Sequence, residues 1–258
     1  MNNTVNSRML TTAELKEHLI DNRTEHHWKL IESKYTIAFK EATDGIYGCY
    51  TIGDSVTFYI DSGNLSKDYF AHELLHAYVS SVGCHIGGCL KNHIRENSVL
   101  SALLSLKLLD HIGNVLEHVK TYPIYIELGF DKNKFTVDYL ESKLTTADVA
   151  SLRLLYKSVD YLASDRFVGK LIAALADPNP EFDYSQQLIQ LRKFDPHLFD
   201  ITYKMVERWK LTKFDNVSVL DDDYNTVTWE YYQGLEKWIR KKRNFPLWWH
   251  KMMFVIRD

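Results

Sequence analysis

The residues best placed to do chemistry are in Ala71–Ala77, which reads AHELLHA. His72 and His76 are four apart, so on a helix they share one face, about one turn from each other. Two imidazoles so placed can grip one metal ion, and neutral imidazole is a good ligand for Zn²⁺. Glu73 follows the first histidine and can reach a water on that ion without ligating it. Leu74, Leu75 and Ala77 fill the other positions and suit a buried helix in the floor of a cleft. The plain alternative is a helix carrying two unconnected core or surface histidines.

The motif and the residues before it resemble a known family. Residues 46–79 resemble the core of the zincin metallopeptidases. Within them Val56–Ile60 resembles the edge strand that precedes the active-site helix, and HELLH resembles the zinc motif. In its strand–loop–helix order the stretch is similar to small bacterial zincins of the ImmA/IrrE and SprT-like kind. The resemblance implies a Zn²⁺ cofactor, Glu73 as the general base and a peptide or protein as substrate. The second half of the chain resembles no family.

A catalytic zinc normally takes three protein ligands and keeps one position open. The third is expected in the segment from Ile94 to Val119, whose apolar periodicity predicts one long helix ending before Pro123. Three candidates stand there. Glu96 follows His76 by 20 residues, a spacing like that of the thermolysin-type gluzincins, but Leu100 occupies the position where they carry Asp. Glu117 and His118 follow His76 by 41 and 42 residues. His118 shares a helix face with Asn114 and His111, an otherwise apolar face where three polar residues are out of place unless used. His118 is therefore preferred, with Asn114 holding an imidazole in its liganding tautomer. Along one straight helix Glu96 and His118 would stand about 33 Å apart, so the choices exclude each other.

Other candidates are weaker. Cys84, Cys89 and His93 have a loosely metal-like spacing, but not that of zinc fingers, and a glycine-rich loop with free thiols is the simpler reading. His26-His27 is a poor chelate, because neighbours on a helix point about 100° apart. Tyr122 or Tyr125 can donate to an oxyanion, as tyrosines do. Asp221–Asp223 lacks the remaining ligands of a calcium loop. Arg240–Arg243, near Trp238, Trp248 and Trp249, matches a helix C-terminus better than a nucleic-acid surface.

Composition sets the frame. The 31 Lys and Arg balance 34 Asp and Glu at a formal charge of −3, which gives no electrostatic case for nucleic acid or an anionic membrane. No apolar run is long enough to span a bilayer, and the first residues lack the apolar core of a secretory signal. Three cysteines make no disulfide framework, and a cytoplasmic location is expected.

The elements that must position the motif are legible in outline. Thr11 and Glu14 offer a capping box for a first helix. Asp44-Gly45 and Gly53-Asp54 punctuate strands from Tyr35 to Ile60 that read as a small antiparallel sheet. Ser66 is a good N-cap for a motif helix over Lys67–Ser81 that stops near Gly83. From Thr145 the pattern is helical, with breaks at Asp177–Pro180 and Asp195-Pro196. The expected fold is α+β, mostly α: a zincin-like core over 1–144 and a helical region over 145–258. The expected function is zinc-dependent peptide-bond hydrolysis. The rival expectations are a metal-dependent hydrolase of a non-peptide amide and a non-catalytic metal-containing binding module.

Overall fold

Thr11 opens the first helix with a capping box: its hydroxyl accepts from the Glu14 amide, and the Glu14 carboxylate accepts from the Thr11 amide. The computed structural model describes residues 11–158, 162–213 and 223–242. Arg243, Trp248, Trp249, Asp221 and Asp222 lie outside them. The fold is α+β and mostly α, with three strands among the described residues. The chain forms two compact units. One ends at Gly83 and takes up Thr121–Tyr139; the other runs from Cys84 to Lys120 and resumes at Leu140.

The first unit contains α1 (Thr12–Leu19), α2 (Glu25–Lys34), β1 (Thr36–Glu41), β2 (Gly48–Ile52), β3 (Ser55–Ile60) and α3 (Lys67–Ser81). The sheet order is β1-β3-β2. β2 and β3 form the expected antiparallel hairpin, turned at Gly53, whose φ of 55° suits glycine. β1, however, pairs with β3 in parallel, Thr36 opposite Ser55 through Glu41 opposite Ile60. The sheet is therefore mixed rather than antiparallel. β3 is also its central strand and not an edge. The physical reason is burial: Val56, Phe58 and Ile60 are the sheet's most enclosed side chains, and the central strand is covered best. The edge strands carry the exposed Tyr50 and Ile52 on β2, while β1 is half-buried only at Ile37 and Phe39 and exposed at its other positions.

α3 is apolar nearly all round because it is covered on two sides. Phe70, Leu74 and Ala77 join Trp28, Ile31, Val56, Phe58 and Ile60 in one core. Ala71 and Leu75 join Tyr125, Phe130, Phe135 and Tyr139 in another. Ser66 caps the helix by accepting from the Tyr69 amide, and Gly83, with φ 88°, stops it. Those bounds are the ones the sequence predicts.

Residues 94–119 are not one helix. α4 (Ile86–Arg95), α5 (Ser98–Leu103) and α6 (Leu106–Glu127) replace it. Asn97 starts α5 by accepting from the amides of Val99 and Leu100. Ser105 breaks the chain before α6, its amide and hydroxyl both donating to Asp165. α6 continues through Pro123 instead of stopping before it. The glycine-rich stretch expected as a loop is the start of α4. Gly87 there meets Gly113 of α6, where an added Cβ would stand 2.9 Å from the Gly87 Cα. The glycines serve a close helix crossing.

The second unit also holds α7 (Thr146–Ser158), α8 (Leu162–Leu175), α9 (Ser185–Phe194), α10 (Pro196–Leu211) and α11 (Asp223–Lys242). α10 packs on α8, α9 and α11, and α11 packs on α4. Asp195 caps α10 through the Leu198 amide and accepts the Trp238 indole N–H at 2.9 Å. Among the described residues no helix is long and apolar enough to cross a membrane.

Candidate metal centre

α3 presents His72 and His76 on one face. Their Nε2 atoms are 3.1 Å apart, and both residues are buried. At that separation the two nitrogens can share at most one proton, so one faces the other with a lone pair. Burial holds the His72 imidazole well below its usual pKa, and the neighbouring His76 adds to the effect. A neutral ring is the form that ligates a metal. The Glu73 carboxylate comes within 3.7 Å of the His72 Nε2, and its side chain is mostly covered. The residue after the first histidine is thus aimed at the same point as the histidine ring.

The third residue comes from α6. Tyr125 packs with Ala71 and Leu75 of α3. His118 precedes Tyr122 by four residues and Tyr125 by seven, so helix geometry puts the three on one face. Phe135 ties that face to the motif, its ring centroid lying 4.7 Å from that of His72 and 4.9 Å from that of Tyr122. One ring nitrogen from each of His72, His76 and His118 forms a group whose members lie within 4.8 Å of one another. Among the described residues it is the only such set of three His, Cys, Asp or Glu side chains.

The other sequence candidates are placed elsewhere. Glu96 ends α4, exposed, with Tyr232 in its field. Glu117 is half-buried and raises the pKa of Cys84. Asn114 is exposed on α6, and no hydrogen bond joins it to an imidazole, so it does not set a tautomer. His111 is exposed as well. The Tyr125 hydroxyl donates to the Asp131 carbonyl at 3.2 Å and is committed there, whereas the Tyr122 hydroxyl meets that of Tyr139 at 3.0 Å.

Cys84, Cys89 and His93 do not gather. Burial pushes the Cys84 thiol up to about 12. Cys89 donates to the Asn225 side chain, and His93 packs against Trp229 and Tyr232. His27 packs edge-on against Tyr78.

Phe135 and Tyr139 are the neighbours of the site that sequence reasoning missed. They follow a three-residue 3₁₀ turn, Lys132–Lys134, in a stretch with no periodicity. Only the abundance of aromatics hinted that such residues would be available. Compared with family models, characterised proteins and solved structures, the chain matches none.

Proposed function

We propose that this protein is a zinc-dependent hydrolase that cleaves peptide bonds. The observation that carries the reading is the convergence of three imidazole nitrogens within 4.8 Å beside the Glu73 carboxylate. The donor set fits a divalent transition metal: three imidazole nitrogens are a known ligand set of a catalytic zinc, which keeps one further position open. His72, His76 and His118 would hold the ion. Bound zinc would supply Lewis acidity, polarising a carbonyl and making a nearby water more acidic.

The chain's own chemistry then falls to Glu73. Its carboxylate takes a proton from the attacking water as the C–O bond forms. It returns that proton to the departing amine nitrogen as the C–N bond breaks. One water is consumed, and Glu73 ends as it began. A peptide is the substrate class supported by the sheet. β2 packs along α3, and its outer side pairs with no strand among the described residues. An extended substrate can add there through main-chain hydrogen bonds.

Metal content by elemental analysis of the wild type, His118→Ala, Glu117→Ala and Glu96→Ala tests the ligand set. One equivalent of zinc should remain in all but His118→Ala. Digestion of an unfolded-peptide library by wild type and Glu73→Gln tests the chemistry: Glu73→Gln should keep the metal and lose turnover. Full activity in Glu73→Gln would refute the assigned role.

A further inference from the structure

We infer that Trp209 and Lys120, from the helical part of the chain, are positioning residues for His118. The inference rests on the metal reading above and adds to it what holds the third ligand in place.

His118 stands just before a weak point in α6. Pro123 lies inside the helix and has no N–H to give the Val119 carbonyl, and its ring crowds the turn before it. A ligand on such a helix is sensitive to roll about the helix axis. An imidazole nitrogen some 8 Å from the axis moves on the order of 1 Å for each ten degrees of roll, by the geometry of the helix cylinder. Metal–ligand distances tolerate only about 0.2 Å. Something outside the helix must fix its phase.

Three hydrogen bonds between α6 and the end of α10 do so. The Trp209 indole N–H donates to the Leu116 carbonyl at 2.6 Å, with Trp209 almost fully buried. The Lys120 ammonium donates to the Thr212 carbonyl at 2.6 Å and the Lys210 carbonyl at 3.3 Å. Its charge there complements the negative end of α10. The ammonium also lies 4.8 Å from the Trp209 ring centroid, so the two contacts form one clamp. Leu116 and Lys120 are one turn apart and bracket His118 two residues on either side. At 100° per residue both point away from His118. The clamp therefore grips the back of α6 and leaves the His118 face open. The Leu116 carbonyl has two lone pairs and can take the indole without giving up its helical bond.

Zinc affinity by chelator competition and the visible spectrum of the Co²⁺-loaded protein test the inference. Trp209→Phe keeps the buried ring and loses the donor; Lys120→Met loses the charge. Each should weaken zinc binding about tenfold or more, the usual effect of removing a group that orients a ligand, and should alter the Co²⁺ bands. Lys120→Arg, which keeps charge and donors, should restore most of the affinity. Leu191→Ala on α9 is the control for lost stability alone, and its affinity should stay within about twofold of wild type, because none of its contacts orients a ligand. Wild-type affinity in Trp209→Phe and Lys120→Met, with His118→Ala impaired, would overturn the positioning role while leaving the ligand in place. A loss no larger than that of Leu191→Ala would overturn it too. Wild-type affinity in His118→Ala would remove the ligand itself, and the inference with it.

Discussion

Adding zinc should raise the melting temperature, and the stability of the metal-free chain should depend on pH in a direction the buried imidazole fixes. An ion that binds only the folded chain, present at a hundredfold over its dissociation constant, stabilises it by about 2.7 kcal/mol. For a chain of this size that is about 5–10 °C in Tm, at roughly 2–4 °C per kcal/mol. Without metal, folded His72 stays neutral, held below its usual pKa by burial and by His76. Unfolded, it takes a proton near the ordinary histidine value of about 6.5. The unfolded state thus binds more protons below that pH, so stability falls as pH falls through about 6.5, by at most about 1.4 kcal/mol per pH unit for this one group. Scanning fluorimetry at pH 7.5 and 5.5, with and without zinc, reads both effects. The metal-free chain should melt at a lower temperature at pH 5.5 than at pH 7.5, and the zinc shift should be lost in His72→Ala and His118→Ala. A zinc shift that survives in both variants would refute the ligand set, and equal metal-free stability at the two pH values would refute a buried, neutral His72.

Three further outcomes follow from the packing. Asp195→Ala should cost about 3 kcal/mol in chemical denaturation, combining a lost N-cap of about 1 kcal/mol with a buried Trp238 N–H left without its acceptor; Asp195→Asn, which can still cap, should cost less. Gly113→Ala should destabilise by about 1 kcal/mol, because a backbone clash of about 1–3 kcal/mol outweighs a gain of about 1 kcal/mol in helix propensity; Gly87→Ala, whose Cβ would stand at 3.2 Å rather than 2.9 Å, should be milder, and the reverse order would count against the crossing. Cys84, its thiol pushed up to about 12, should resist alkylation in the folded protein at pH 8. Since the unfolded thiol ionises near pH 9 and the folded one does not, the unfolded state loses its proton first, and this residue should make stability decline as pH rises above about 9, a decline that Cys84→Ala would reduce.

The sequence foretold elements whose signals are local. The Thr11–Glu14 box, the Ser66 cap, the turn at Gly53 and the Asp195-Pro196 restart all act within a few residues, and each stands where expected. What failed depended on distant residues. The parallel pairing of β1 with β3 joins strands separated by β2, and no short-range turn signals it. The breaks in 94–119 are hidden because the apolar periodicity carries across them, and the break before α6 is held by Asp165, 60 positions away. Pro123 reads as a stop, although a packed helix can carry a proline in its interior; Tyr125, just beyond it, is fully buried against α3 and keeps the helix going.

The site was legible to a different depth for each residue. His72, Glu73 and His76 follow from spacing alone, since a helix turns i and i+4 to one side whatever surrounds it. His118 can be ranked first on sequence but not singled out: what sets it apart from Glu117 is 100° of helix phase, and phase becomes meaningful only once the packed face of α6 is known. Tyr125 supplies that knowledge. It is fully buried against Ala71 and Leu75 of the motif helix, which fixes the face of α6 that carries 122 and 125; 118 shares that face by the helix period, and 117 lies 100° round from it, near Cys84. Asn114 fails by a related measure. One turn before His118 it points nearly the same way, but the helix has carried it about 6 Å along the axis and into solvent, so a shared face did not make it a neighbour of the rings. A polar residue on an apolar stripe therefore indicates a site only where the stripe is still covered, and for this chain the cover is the aromatic cluster of Tyr122, Tyr125, Phe135 and Tyr139.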